Sequence, residues 1–265
     1  MNTYTAYPQS EKFTPEAWDL LMRYRLSPEL FAGEERVEEE DVRAYIQAHD
    51  VPLPRPLSPI RQVIIKNVTE SAKKPVFHIY DGINATLIRA YETKELTVTV
   101  WILKLVGEAM MRHPETRTTL GADTFQVWPN ASIALAMAHG EALYMPVFRD
   151  VNKKSVQEIA KELADYKKRV RRGRVLASHL VGSTFGISNL GMTGIERFDA
   201  LINKNDTGIA AIGSETQGRI NVTLTIDHRF IDGWQAAEFM QTLKELAEDP
   251  SVFKTWKNGK PEGAE

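Results

Sequence analysis

Residues 219–239 read RINVTLTIDHRFIDGWQAAEF, and the pattern changes halfway along. Val222, Leu224 and Ile226 alternate with Asn221, Thr223 and Thr225, which predicts a strand over 219–226 with one buried face and one more polar face. From Gly233 the spacing predicts a helix to about Leu246. Between them the strand ends at Asp227-His228, and the turn His228-Arg229-Phe230-Ile231-Asp232-Gly233 leads into the helix. A scaffold can aim a histidine on a turn at a strand end into a cleft. Histidine suits general-base work near neutral pH, since an unperturbed imidazole titrates near about 6.5. An aspartate four residues later, on a turn that glycine permits, can fold back and brace the loop. Taken alone, the same residues also fit a structural histidine and an ordinary turn-bracing Asp-Gly pair.

Outward from this stretch, helix and strand signals alternate. Ser155 and Glu158 form a capping box for a helix over 155–170, with Ile159, Leu163, Tyr166 and Val170 as its apolar stripe and Gly173 as its stop. The cationic run KKRVRRGR, 167–174, falls at that helix's C-terminus, where positive charge is favourable; it reads as a solvated helix end, with a phosphate or partner contact as the alternative. Ser58-Pro59 opens a helix with Ile60, Val63 and Ile64 on one face, and 97–112 predicts a buried apolar helix. Strands are predicted at 76–83, in short pieces over 125–148, and at 183–188 and 208–213. Helices and strands in mixed order indicate an α/β or α+β domain on a mixed sheet.

The N-terminal region differs. Residues 1–12 are polar and are expected to be a flexible tail. Thr14-Pro15 opens one short helix, with Trp18, Leu21 and Met22 on one face. The acidic run Glu38–Asp41 opens a second, with Val42, Tyr45 and Ile46 on one face. These make a two-helix module over 13–49, and the Pro-rich stretch 50–58 reads as a linker to a catalytic domain over 59–250. The remaining 251–265 read as a polar C-terminal tail, with Val252, Phe253 and Trp256 as an alternative internal anchor. Of 265 residues 43% are hydrophobic and 26% charged, which is a globular balance, and the net charge of −2 argues against nucleic-acid binding. The absence of cysteine excludes disulfides, thiolate metal sites and a cysteine nucleophile. No histidine pair has metal-ligand spacing, so no metal is expected. No 18-residue apolar run or secretory pattern is present, and a cytoplasmic protein without a membrane partner is expected.

His-x-x-x-Asp-Gly, here within DHRFIDG, is the signature of the acyltransferase (E2) components of 2-oxo acid dehydrogenase complexes and of chloramphenicol acetyltransferase. FGISNLGMTGIERF (185–198) resembles the family's TISNLGMFG segment, and PVFRDVNKKSVQEIAKEL (146–163) resembles PVIRDADKKSLAEIAKE. LINKNDTGIAAIG (201–213) and SPIRQVIIKNVTES (58–71) resemble the family's next strand and its opening helix, so ordered likeness covers roughly 190 residues. The resemblance implies a chloramphenicol acetyltransferase-like two-layer α/β sandwich with a mixed sheet. It implies His228 as general base, Ser188 as oxyanion donor and Asp232 as a brace, with Arg61 as the ion-pair partner of Asp232. Gly233 and Asn189 are implied as structural support. It also implies a homotrimer with its active sites between subunits, and coenzyme A as the acyl-carrying substrate.

The chain also departs from the pattern. A lipoyl-bearing segment is not seen before the first helix, so a lipoyl group is expected from another protein. VEEEDVRAYI (37–46) resembles the family's ITKEDVEAYL, which implies a peripheral subunit-binding-like module for E1 or E3 subunits or a separate lipoyl or carrier protein. Its basic loop is shortened to FAGEERVE. MAHGEAL (137–143) replaces TPDGL, and Arg117 stands where asparagine is usual; both suggest an altered acyl or acceptor choice. The polar end KNGKPEGAE suggests an isolated trimer rather than a cage. Three functions fit: acyl transfer between coenzyme A and a dihydrolipoyl or other thiol supplied in trans, a stand-alone acyltransferase acting on a small hydroxyl, amine or carrier thiol, and a non-catalytic scaffold.

Overall fold

The computed structural model describes residues 12–259, in two compact units, residues up to 58 and from 59 onward. Of the expected N-terminal tail only Lys12 lies within the described residues.

In the first unit, α1 (Pro15–Tyr24) starts where the Thr14 hydroxyl accepts the Ala17 amide, and stops at Arg25 in the left-handed conformation. Helix α2 (Glu39–Ala48) starts where the Asp41 carboxylate accepts the Glu38 amide at 2.8 Å. The buried stripe of α1 is Ala17, Leu20 and Leu21, with Trp18 and Met22 at its edge. It packs with Phe13, Phe31, Val37 and Val42, and one bridge joins Phe13 to Val37.

The second unit begins with α3 (Pro59–Ser71), β1 (Val76–Asn84), α4 (Thr86–Tyr91) and α5 (Val98–Arg112). Short strands follow: β2 (Thr118–Leu120), β3 (Phe125–Val127), β4 (Ile133–Leu135), β5 (Met137–His139), β6 (Ala142–Tyr144) and β7 (Val147–Phe148). The unit ends with α6 (Val156–Arg171), β8 (Phe185–Asn189), β9 (Gly208–Thr216), β10 (Arg219–Asp227), α7 (Gly233–Glu248) and α8 (Pro250–Lys257). One six-stranded sheet runs β1-β10-β9-β8-β4-β7. It is mixed, because β8 pairs parallel with β9 and β4 whereas β1/β10, β10/β9 and β4/β7 are antiparallel. Helices α5, α6, α7 and α8 share a single apolar core with the sheet, giving the two-layer α/β sandwich.

Two features set the end of β10. Gln217 and Gly218 both have positive φ (52° and 73°), which is the two-residue hairpin geometry that suits strand twist. Beyond the hairpin β10 pairs with β1 over nine residues, up to Val76↔Asp227, so His228 leaves the sheet beside the start of β1.

The more polar face expected of β10 is also buried: Asn221, Thr223 and Thr225 are 8%, 1% and 1% exposed. The segment after β8 crosses that face. The Ile195 carbonyl accepts the Ser214 amide on β9, Arg197 donates to Asn221 on β10, and Asp199 accepts the Tyr80 hydroxyl on β1. Gly213 permits the crossing, since a Cβ there would lie 1.8 Å from the Glu196 carbonyl oxygen. Period-two alternation reports side-chain polarity and carries no information about a loop laid across the sheet.

The stretch expected as a polar tail from 251 is helical as far as Lys257. Asp249 caps α8, and Phe253 and Trp256 are buried (0% and 7% exposed). Phe253 stacks on Trp101 at 5.0 Å, and the ammonium of Lys104 lies over Trp256 at 5.6 Å. The apolar i, i+3 pair outweighs the polar residues around it, and residues 260–265 lie outside the described residues. Phe253→Ala is expected to cost about 3–5 kcal/mol; urea titration of the variant checks this, and a loss below 1 kcal/mol would mean that α8 is undocked in solution. Among the described residues no helix is long and apolar enough to cross a membrane.

Candidate active site

His228 is exposed on the turn that follows β10. Its backbone N–H donates to the Pro75 carbonyl at 2.8 Å, and its ring lies 4.7 Å from that of Phe77, so the start of β1 holds both ends of the residue. The amides of Phe230 and Ile231 donate back to the Asp227 carbonyl and close the turn.

Asp227, at the base of the turn, is fully buried. Arg229 grips its carboxylate with two N–H groups on one edge of the guanidinium, Nε to Oδ1 at 2.9 Å and Nη2 to Oδ2 at 2.6 Å. The ammonium of Lys74 lies 3.6 Å from Oδ2 and is 7% exposed. Burial pushes the Asp227 carboxyl up, but the Arg229 hydrogen bonds and the two cations outweigh it and hold the group below the usual carboxylate range. For Lys74, burial wins against its acidic neighbours and pulls the ammonium below its ordinary value.

Behind this turn, Asp206 is fully buried and accepts the Ser183 hydroxyl at 2.7 Å, while its Oδ2 has no hydrogen-bond partner. Burial pushes its carboxyl up to about 7, and the Ser183 bond offsets only part of that. The folded protein therefore holds a proton that the unfolded chain releases near 3.8, so this stability is lost as pH rises through about 7. Asp206→Asn carries no such loss. Its stability gain over the parent is expected to be larger at pH 8 than at pH 5, by on the order of 2–3 kcal/mol. Denaturant midpoints at the two pH values measure this, and an equal gain at both would mean that Asp206 is ionised throughout.

Ser188 lies half-buried near the end of β8. Asn189 shapes the turn after it, donating to Thr99 at 3.1 Å and accepting the Gly191 amide at 2.9 Å. The register separates Ser188 from His228: Ser188 pairs with Ala211, and Ala211 with Thr223. His228 is five residues beyond Thr223, so the two catalytic candidates of one chain lie roughly 16 Å apart along the strand direction and about 10 Å apart across it.

Asp232 caps α7. It accepts the Gln235 amide at 2.9 Å, and the Gln235 side chain returns the bond to the Asp232 amide. It thus fixes where the helix begins, with Gly233 as first residue. Arg61 sits in the first turn of α3, partly buried. Arg117, the residue whose type departs from the family pattern, is held by backbone carbonyls. It is 8% exposed, its Nε donates to the Met110 carbonyl at 2.9 Å, and its Nη1 bonds to the Trp128 carbonyl, which ties α5 to the β2–β3 hairpin. MAHGEAL forms the β5–β6 hairpin, with Gly140 at φ 58°.

Beside the turn lies a groove of about 690 Å³ whose lining includes Lys74, Trp128, Arg149, Lys204, Arg229 and Phe230. Sequence reading missed Lys74, Asp206, Asp227 and Arg229. The Asp-x-Arg spacing around His228 is a visible signal for the last two, whereas Lys74 and Asp206 meet only through the fold. Among the described residues no group of three or more His, Cys, Asp or Glu side chains could hold a metal ion.

Comparison with known proteins agrees with this architecture. The chain is 29% identical over 223 residues to the dihydrolipoyllysine-residue acetyltransferase component of the Rickettsia prowazekii pyruvate dehydrogenase complex, covering 75% of this chain and 54% of that protein. It is 32% identical over 183 residues to the corresponding component of the Bacillus subtilis acetoin cleaving system, covering 64% and 46%. The chain thus spans about half the length of these curated relatives. The crystal structure of a probable dihydrolipoamide acetyltransferase from Listeria monocytogenes superposes with a TM-score of 0.69 at 25% identity, covering 81% of this chain and 98% of that one. Residues 53–254 match the family described as 2-oxoacid dehydrogenases acyltransferase (catalytic domain), and to that family this chain belongs.

Proposed function

We propose that this protein transfers a short acyl group between coenzyme A and a dihydrolipoyl thiol carried by another protein, at sites shared between copies of the chain. The carrying observation is His228, exposed on a turn held by Pro75, Phe77 and Asp227, with Ser188 of the same chain displaced along the sheet. A histidine base in one copy and a serine donor in its neighbour reconcile the motifs with that displacement. Exposed Leu120, Phe125, Val127 and Trp128 on the β2–β3 hairpin give such copies an apolar surface to cover, in keeping with a homotrimer.

In this reading the His228 imidazole takes the acceptor S–H proton as the sulfur attacks the thioester carbon. The carbonyl π electrons move to oxygen, and the Ser188 hydroxyl donates to that oxyanion, a contribution typically worth about 3 kcal/mol. The intermediate collapses, the C–S bond to coenzyme A breaks, and the imidazolium returns the proton to the departing thiolate. The reaction needs no metal or oxidant. Residues 13–49 serve as a docking module for E1 or E3 subunits or for the carrier. The test is a panel of short acyl-CoAs against free dihydrolipoamide, followed by thioester formation. Transfer with a preferred chain length supports the reading; no transfer by a folded oligomer would overturn it in favour of a hydroxyl, amine or carrier-thiol acceptor.

A further inference from the structure

The catalytic motif by itself leaves open what holds the His228 turn against the sheet end. Three segments meet there: the residues before β1, the loop ahead of β9, and the end of β10. The side chain that joins the first of these to the other two is Lys74. Its ammonium donates to the carbonyls of Asn203 at 3.1 Å and Asp206 at 2.6 Å and lies 3.6 Å from the Asp227 carboxylate. The next residue along the chain, Pro75, supplies the carbonyl that accepts the His228 amide. The loop is pinned to the same point from the other side, since the Asp227 amide donates to the Thr207 carbonyl at 2.9 Å.

A lysine this deeply enclosed loses hydration, and its recovery comes from acceptors in fixed places. The two carbonyls and the carboxylate define one position for the ammonium, and that position fixes Pro75 by direct chain connection. Arg229 also neutralises Asp227, but it is nearly half exposed and belongs to the turn itself, so it cannot anchor the turn to β1. The charged groups that face Lys74 are Asp227 from β10, Asp206 from the loop and Arg229 from the turn.

We propose that Lys74 is a positioning residue for His228, a three-way tie that sets the imidazole's height above the sheet end. This rests on the acyl-transfer reading, because it names what holds that reading's base in place. The burial-driven fall in the ammonium's pKa fits a side chain kept for geometry at some cost in charge stability.

The test uses Lys74→Gln, which keeps an N–H donor for the carbonyls, and Lys74→Met, which keeps only the stem. Lys73→Met is the neighbouring control, since Lys73 is exposed and pairs with Glu70. With acetyl-CoA and dihydrolipoamide, Lys74→Met is expected to lower kcat tenfold or more at nearly constant KM for both substrates. Lys74→Gln should fall between it and the parent, and Lys73→Met should match the parent. Hydrogen exchange of the His228 amide should accelerate at least tenfold in Lys74→Gln while amides in the middle of β9 keep their protection. A folded Lys74→Gln with parental kcat and parental His228 exchange overturns the proposal. So does failure of Lys74→Gln to fold, because Lys74 would then hold the domain rather than the turn. Inactivity of the parent protein would sink the acyl-transfer reading instead, and the exchange measurement would still decide the role of Lys74.

Discussion

His228→Ala is expected to lower kcat for acyl transfer by about 10²–10⁴-fold, the range for loss of a general base. The thermal midpoint should stay close to the parent's. Two features separate those effects. The side chain is exposed, so its removal opens no cavity, and its ring contact is with Phe77 at the rim rather than in the core. The residue's structural bond, N–H to Pro75, belongs to the backbone and survives truncation. Steady-state kinetics with near-UV circular dichroism on the same preparation provide the check. A folded variant with unchanged kcat would remove His228 from the mechanism.

The second large effect is a restoration. Ser188→Ala alone is expected to lose about 10²–10³-fold in kcat, the cost of an oxyanion donor. If a base and a donor from one chain served the same site, a mixture of His228→Ala and Ser188→Ala proteins would stay inactive. The strand register argues otherwise, since those residues are displaced both along and across the sheet. Unfolding and refolding the two variants together should form some interfaces that pair an intact His228 with an intact Ser188. With random mixing in a closed ring, about a quarter of the interfaces meet that condition. Recovery near that fraction, absent when the variants are mixed without refolding, supports sites shared between copies. No recovery after verified co-assembly would place both groups in one chain's site.

How much of this was legible in the sequence follows physical lines. Helix α6 was legible because its signals are local: Ser155 and Glu158 cap each other and the apolar stripe has one period. The turn that carries His228 was legible because a strand pattern ends and a helix pattern begins within six residues. The partners of Arg117, the carbonyls of Met110 and Trp128, were not legible, because those bonds form only in the fold. Lys74 and Asp206 were not legible. They are 132 residues apart, and an isolated lysine or aspartate in a polar stretch looks like any solvated surface charge.

The pairing of β1 with β10 also has a kinetic consequence. Val76 meets Asp227 across 151 positions of chain, so the strand that places His228 finds its partner only by closing a very long loop. Such non-local pairings slow folding, because the entropy of closure is spent before the contacts return it. Phe253, central to the core, is made later still. During synthesis the second unit therefore waits for nearly its whole length to leave the ribosome. Until then its apolar strands stay exposed, which is the interval when a chaperone has the most to protect.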